Sequence, residues 1–220
     1  NRKDPVDILS NAVRKNQVTM LGETHGEPRY IQTATAAIPA MVKGGLTHIA
    51  YEGRADRQEA LDLFMAAWTA SGTEDFLAFI EREIWVRVEK QEYRLQGRPS
   101  HWNVLKFSPL WVRISGALRA RERDGEQVTD SYQAPTSLQL IGKIVPTSFG
   151  DEENIIARFL FFKTAWDNHV KVRMIDTRRS YGQPGDQSMA LLIKEIIDNE
   201  PSAKILFYGG HDHTRKSKYD

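Results

Sequence analysis

Two short glycine-flanked segments place histidine and carboxylate side chains directly after apolar runs of the chain. The first segment contains Glu23 and His25, and the second contains His211, Asp212 and His213. Imidazole and carboxylate groups together can activate a water molecule by taking its proton. The same groups can bind a divalent cation such as Mn, Fe, Co or Zn through nitrogen and oxygen atoms. The residue types therefore indicate proton transfer or metal binding.

Two further carboxylates stand at similar positions, because Glu52 follows the apolar run 47–51 and Asp176 follows the run 170–175. In an open α/β sheet, ligands bind outside the carboxyl ends of the parallel strands. We therefore expect His25, Glu52 and one of the C-terminal histidines to lie around a common cavity, with Asp176 in the same pocket.

Each of these residues also has a purely structural interpretation. A histidine at the end of a strand is often a surface or capping residue, and Glu52 has the sequence context of a helix cap or an ion-pair partner. Asp176 is compatible with a simple Asx turn. The coincidence of His, Glu or Asp at four strand ends nevertheless favours one shared site.

The elements that must position these residues follow from local patterns. Apolar runs rich in β-branched residues predict four strands, at 18–21, 47–51, 170–175 and 203–208. Asp4 and Pro5 predict the N-cap and first residue of a helix, and a second helix is expected to begin at Pro28 and end at Gly44. Periodic apolar positions predict further helices, over about 56–125, 154–166 and 188–197.

Together these elements predict an α/β fold with a mostly parallel central sheet and flanking helices. We expect a single domain over residues 1–220, with a large helical insertion at about 54–125. Residues 127–129 are a candidate for an additional strand.

Composition excludes several classes of function. Thirty Lys and Arg residues against 29 Asp and Glu residues offer no general electrostatic attraction for nucleic acid or an anionic membrane. No apolar stretch reaches the roughly 18–20 residues that a transmembrane helix needs. The absence of cysteine excludes disulfides, thiolate metal sites and cysteine nucleophiles.

The sequence does not indicate an oligomeric state. It begins at Asn1 rather than at Met, which is compatible with the loss of a preceding segment such as a signal peptide. A periplasmic or secreted location is our expectation over a cytoplasmic one.

The strand-end motifs resemble those of the superfamily that groups the TraB and Tiki proteins, the ChaN-like haem-uptake lipoproteins and the erythromycin esterase-like hydrolases. Its hallmarks are a Gly-x-x-His after the first strand, a glutamate after the second and another Gly-x-x-His after the last. The segment 22–25, Glu52 and the segment 210–213 match them in order. Because of this spacing we prefer His213 to His211 as the last functional histidine.

Two further segments support the resemblance. Arg215 fits the His-x-Arg ending of ChaN-like members. The segment 185–190, which contains Asp186, matches an Arg/Asn-Asp-x-x-Met-Ala helix start except that Gly185 replaces the first residue. The resemblance thus implies a pocket to which Asp186, Asp212 and Arg215 also belong.

The resemblance implies several different activities. Tiki-like members are metal-dependent peptidases, erythromycin esterase-like members open lactones with a histidine base, and ChaN-like members bind haem or iron. Our leading hypothesis is a hydrolase of a small-molecule or peptide ester or amide. In it His25 or His213 activates water and Glu23 and Glu52 orient it, or His25, Glu52, His211 and His213 supply metal ligands.

Two alternatives remain open. One is a haem- or iron-binding protein without catalysis, in which His or Tyr serves as the axial ligand because cysteine is absent. The other is a non-catalytic family member that uses the crevice as a scaffold, which the glycine at position 185 favours.

Overall fold

The computed structural model describes residues 4–24, 27–72, 75, 76, 78, 79, 152–177 and 185–214. Its sheet consists of four strands: β1 (Val18–Glu23), β2 (His48–Arg54), β3 (Lys171–Asp176) and β4 (Ile205–Gly210). All neighbouring strands are parallel, and their order across the sheet is β1-β4-β2-β3. The predicted α/β fold with a parallel central sheet is therefore confirmed.

Helices connect the strands, as expected for parallel pairs. Their bounds are α1 (Pro5–Lys15), α2 (Pro28–Lys43), α3 (Gln58–Ala70), α4 (Glu152–Asp167) and α5 (Asp186–Asn199). Short 3₁₀ turns follow β2 at Ala55–Arg57 and β4 at His211–Thr214.

Local capping chemistry sets several of these bounds. At the start of α1 the Asp4 carboxylate accepts a hydrogen bond of 2.9 Å from the Val6 N–H, and Pro5 occupies the first helical position. Gly44 ends α2, and Gly45 continues with φ of 99°, which a residue with a Cβ adopts only at a cost. The start of α1 and the end of α2 are therefore where the sequence predicted them.

Side chains alternate between the two faces of the sheet, so each face has its own helical cover. On one face Tyr51 and Tyr208 are register partners, with stacked rings 6.0 Å apart, and Phe161 and Phe162 of α4 pack on them. On the other face α5 covers an apolar cluster through the buried side chain of Met189. The other buried members of this cluster are Ala50, Ile175, Ala203, Ile205 and Phe207.

The chain divides into two compact units. The first comprises Asn1–Gln58 and Ala157–Asp220 and contains the sheet; the second comprises Glu59–Ile156. In the second unit, aromatic rings of Phe64, Trp68, Phe76 and Phe79 pack against one another with centroids 5.5–6.2 Å apart. Most of the predicted insertion and the candidate strand at 127–129 lie outside the described residues, and the single-domain interpretation stays a prediction.

The described helices are 11–16 residues long. Within that part of the chain, none is both long enough and apolar enough to span a bilayer.

Candidate functional site

The carboxyl ends of all four strands lie at one edge of the sheet. Glu23, the last residue of β1, is the register partner of Gly210, the last residue of β4. Asp176 ends β3 opposite Arg54 of β2. Those predicted strand-end residues that the structure describes are therefore on one edge, but strand alternation decides which face each side chain occupies.

Glu52 and His213 are in direct contact on the α5 face. His213 lies in the 3₁₀ turn that follows β4, and its Nε2 is 3.0 Å from Oε1 of Glu52. The second carboxylate oxygen of Glu52 accepts a hydrogen bond of 2.5 Å from the backbone N–H of Gly210. The end of β4 thus binds Glu52 both through its backbone and through the following turn.

Asp186 approaches the other side of the same imidazole. It is the first residue of α5, and its Oδ1 lies 2.5 Å from Nδ1 of His213. The side chain of Asp186 is 76% exposed, whereas those of His213 and Glu52 are 20% and 10% exposed. One imidazole therefore contacts a sheltered carboxylate through one nitrogen and a solvent-exposed carboxylate through the other.

Two glycines allow this close approach. A Cβ at Gly209 would lie 2.8 Å from Cβ and from Oε2 of Glu52. A Cβ at Gly22 would lie 2.5 Å from Oγ1 of Thr214 and 2.7 Å from the backbone Cα of His211. Glycine at both positions is required for Glu52 and the 3₁₀ turn to lie against the sheet.

This arrangement has the elements of a proton-transfer site. A carboxylate at Nδ1 fixes the tautomer and the orientation of a histidine, so that Nε2 can exchange protons with a reacting group. A second carboxylate beside Nε2 can accept a hydrogen bond from water and stabilise the imidazolium that forms.

Glu23 lies on the opposite face of the sheet, the one covered by α4. Its Oε1 accepts a hydrogen bond of 2.8 Å from Nη2 of Arg158, and its Oε2 accepts one of 2.5 Å from the hydroxyl of Tyr208. Arg158 also donates to the hydroxyl of Tyr51. The structure therefore places Glu23 in a separate buried network and does not bring it to Glu52 and His213.

The buried network holds its groups in fixed charge states. Burial raises the pKa of Tyr51 to about 12 and, together with the neighbouring Glu23, raises that of Tyr208. Burial alone would lower the pKa of Arg158, but Tyr51 and Glu23 outweigh it and raise that pKa. Both tyrosines are thus neutral at pH 7 and the guanidinium is charged.

Arg158 was not identified from the sequence as a site residue. The available signal was a lone arginine within the otherwise apolar run 155–162, since an arginine in the core is almost always paired. In the structure that partner is Glu23, the buried carboxylate at the end of β1.

The remaining predicted residues have diverse positions. His211 contacts Asp212, with Nε2 3.2 Å from Oδ1, and their side chains are 42% and 78% exposed. Asp176 lies near Arg54 at the edge of the sheet. His25 and Arg215 lie outside the described residues, so their places in the site stay predictions.

The predicted metal site likewise depends in part on a residue outside the described part of the chain. Among the described residues, no group of three or more His, Asp and Glu side chains has the arrangement of a metal site. Because His25 belongs to the predicted ligand set, binding of a divalent metal stays a prediction. Haem binding also stays a prediction.

No family model and no curated protein matches the chain. Among solved structures, that of the type III effector HopBA1 is similar, with a TM-score of 0.47 and 14% sequence identity. The similarity covers 95% of this chain and 73% of the effector chain. A similarity at this level carries no information about the chemistry of the site.

Proposed function

We propose that this protein is a hydrolase of esters or amides in which Glu52, His213 and Asp186 act together. The observation that carries the proposal is the position of His213 between two carboxylates, with one at each ring nitrogen. The substrate is a small molecule or a peptide.

Each residue has a distinct role in the proposed reaction. A water molecule binds between Oε1 of Glu52 and Nε2 of His213 and replaces their 3.0 Å contact. His213 takes a proton from this water as its oxygen attacks the carbonyl carbon. His213 then returns the proton to the departing alcohol or amine. Asp186 accepts the hydrogen bond from Nδ1–H, which selects the tautomer whose Nε2 carries the lone pair.

The backbone contact of Glu52 supports its role as the residue that orients the water. Its Oε2 is occupied by the Gly210 N–H, so the carboxylate is held with Oε1 toward His213. The 10% exposure of this side chain strengthens its electrostatic effect, because a sheltered charge is screened less by solvent.

The experiment measures turnover of chromogenic esters and amides by the full chain and by His213→Gln. We expect wild-type turnover of at least one substrate and a loss of roughly 10²–10⁴-fold in kcat/KM for the variant, which is the usual contribution of a general acid–base residue. His169→Gln is the matched control, because His169 is an exposed histidine that precedes β3, at the opposite edge of the sheet.

Two outcomes would overturn the proposal. One is folded wild-type protein that hydrolyses none of the substrates. The other is activity that survives in His213→Gln at the level of His169→Gln.

A further inference from the structure

A cavity of about 440 Å³ lies between the edge strand β3 and one flank of α5. None of the residues proposed for hydrolysis lines it. Its volume is within the range of about 300–1,000 Å³ that is typical of small-molecule sites. The cavity is therefore large enough to hold a small organic ligand beside the sheet.

The two walls of the cavity carry opposite charges. Lys171 and Arg173 stand at alternate positions of β3 and so on one face of the sheet, whereas α5 and its end contribute Glu195 and Glu200. Lys171 donates a hydrogen bond to Glu200, which neutralises the pair at one end of the cavity. Burial lowers the pKa of His48, the neighbouring wall residue, so it adds no charge at pH 7.

Unlike Lys171 and Glu200, the charged side chains of Arg173 and Glu195 are not paired with each other or with a neighbour among the described residues. Within the part of the chain that the structure describes, neither forms an ion pair or a hydrogen bond. The cavity thus presents one available guanidinium and one available carboxylate.

The lining of the cavity also includes apolar side chains. Leu192 and Ile196 are four residues apart on α5, so they lie on one side of that helix, and Ile175 of β3 adds a buried apolar side chain. A ligand in this cavity therefore has aliphatic groups available for contact in addition to the two charges.

We propose that this cavity binds a small zwitterion, namely an α-amino acid with an apolar side chain. The ligand carboxylate pairs with Arg173, whose planar fork suits a carboxylate in a bidentate geometry. The ligand ammonium pairs with Glu195, and its side chain packs on Leu192 and Ile196. A simple anion fits less well, because the two cations of the lining are balanced by two carboxylates. This proposal is independent of the proposed hydrolysis.

The experiment is isothermal titration of the full chain with L-leucine. We expect saturable binding that is at least roughly tenfold weaker in Arg173→Gln and in Glu195→Gln, since each removes one charged partner of the ligand. Two leucine analogues test the contribution of each charged group of the ligand separately. The first, 4-methylpentanoate, lacks the ammonium, and the second, 3-methylbutylamine, lacks the carboxylate. Both are expected to bind at least roughly tenfold more weakly than leucine.

Lys194→Gln is the matched control, because Lys194 lies on the same helix, pairs with Asp198 and is absent from the cavity lining. It should bind leucine as the wild type does. Since Arg173 and Glu195 are exposed, their variants are expected to fold, which circular dichroism verifies. The proposal is overturned if leucine does not bind, if 4-methylpentanoate binds equally well, or if neither cavity variant weakens binding.

Discussion

His213 is the residue whose surroundings most clearly differ from those of an ordinary surface histidine. The structure places it, and not His211, against Glu52, and Asp186 occupies its other nitrogen. The Gly-x-x-His spacing led to the same preference from the sequence. The contact with Asp186 could not be derived from spacing alone, because it depends on where α5 begins relative to the turn after β4.

The buried ion pair of Glu23 and Arg158 gives a prediction about stability. Both residues are almost fully buried, at 2% and 3% exposure, so removal of one charge takes from the other the opposite charge it pairs with in the core. We expect Glu23→Gln and Arg158→Met each to lower the free energy of unfolding by about 3–5 kcal/mol, and the double variant to lose less than the sum. Urea denaturation of the four proteins measures these values.

The exposed ion pair of Lys194 and Asp198 serves as the control for this cycle. Lys194→Gln and Asp198→Asn should each change the unfolding free energy by no more than about 1 kcal/mol, because solvent screens such pairs. Our account of the buried pair would be wrong if Glu23→Gln cost no more than these surface changes.

At the scale of the elements, the end of α4 has a feature that the sequence does not signal. His169 adopts φ of 58°, a left-handed conformation that glycine usually occupies at this position. The Val170 N–H donates to the carbonyl of Ala165 at 2.9 Å, and the His169 N–H donates to that of Trp166 at 3.0 Å. These two hydrogen bonds define a Schellman motif with a histidine at its left-handed residue.

We therefore predict that His169→Gly stabilises the protein by about 1 kcal/mol, because the Cβ penalty of the left-handed residue is removed. His169→Ala, which keeps the Cβ, should give no such gain. Thermal and urea denaturation compare the two variants. Equal stability of the glycine and alanine variants would show that the backbone conformation of residue 169 is not strained.

For the whole molecule, local patterns predicted the strands and the described helices but not their arrangement. The apolar runs identified all four strands, and the βαβ logic correctly indicated a parallel sheet. The position of β4 between β1 and β2 depends on contacts between residues far apart in the chain, which no local pattern encodes. The prediction that the strand ends share one edge needed no knowledge of this order.

The separation of Glu23 from Glu52 is a consequence of the same arrangement. The sequence places both carboxylates at strand ends, and ends of parallel strands meet at one edge. Which face each side chain occupies depends on the register between strands, since a shift of one residue reverses the face. The register pairs Tyr51 with Tyr208 and leaves Glu52 beside Gly209, on the opposite face from Glu23.

The joint action of Glu52 and His213 is tested most directly by a double-mutant cycle on turnover with Glu52→Gln, His213→Gln and the combined variant. If the two residues activate one water molecule together, the double variant should be no slower than the slower single variant, within roughly threefold, because the second substitution removes nothing further. If the two losses in kcat/KM multiply, Glu52 and His213 act independently and the proposed joint mechanism is contradicted.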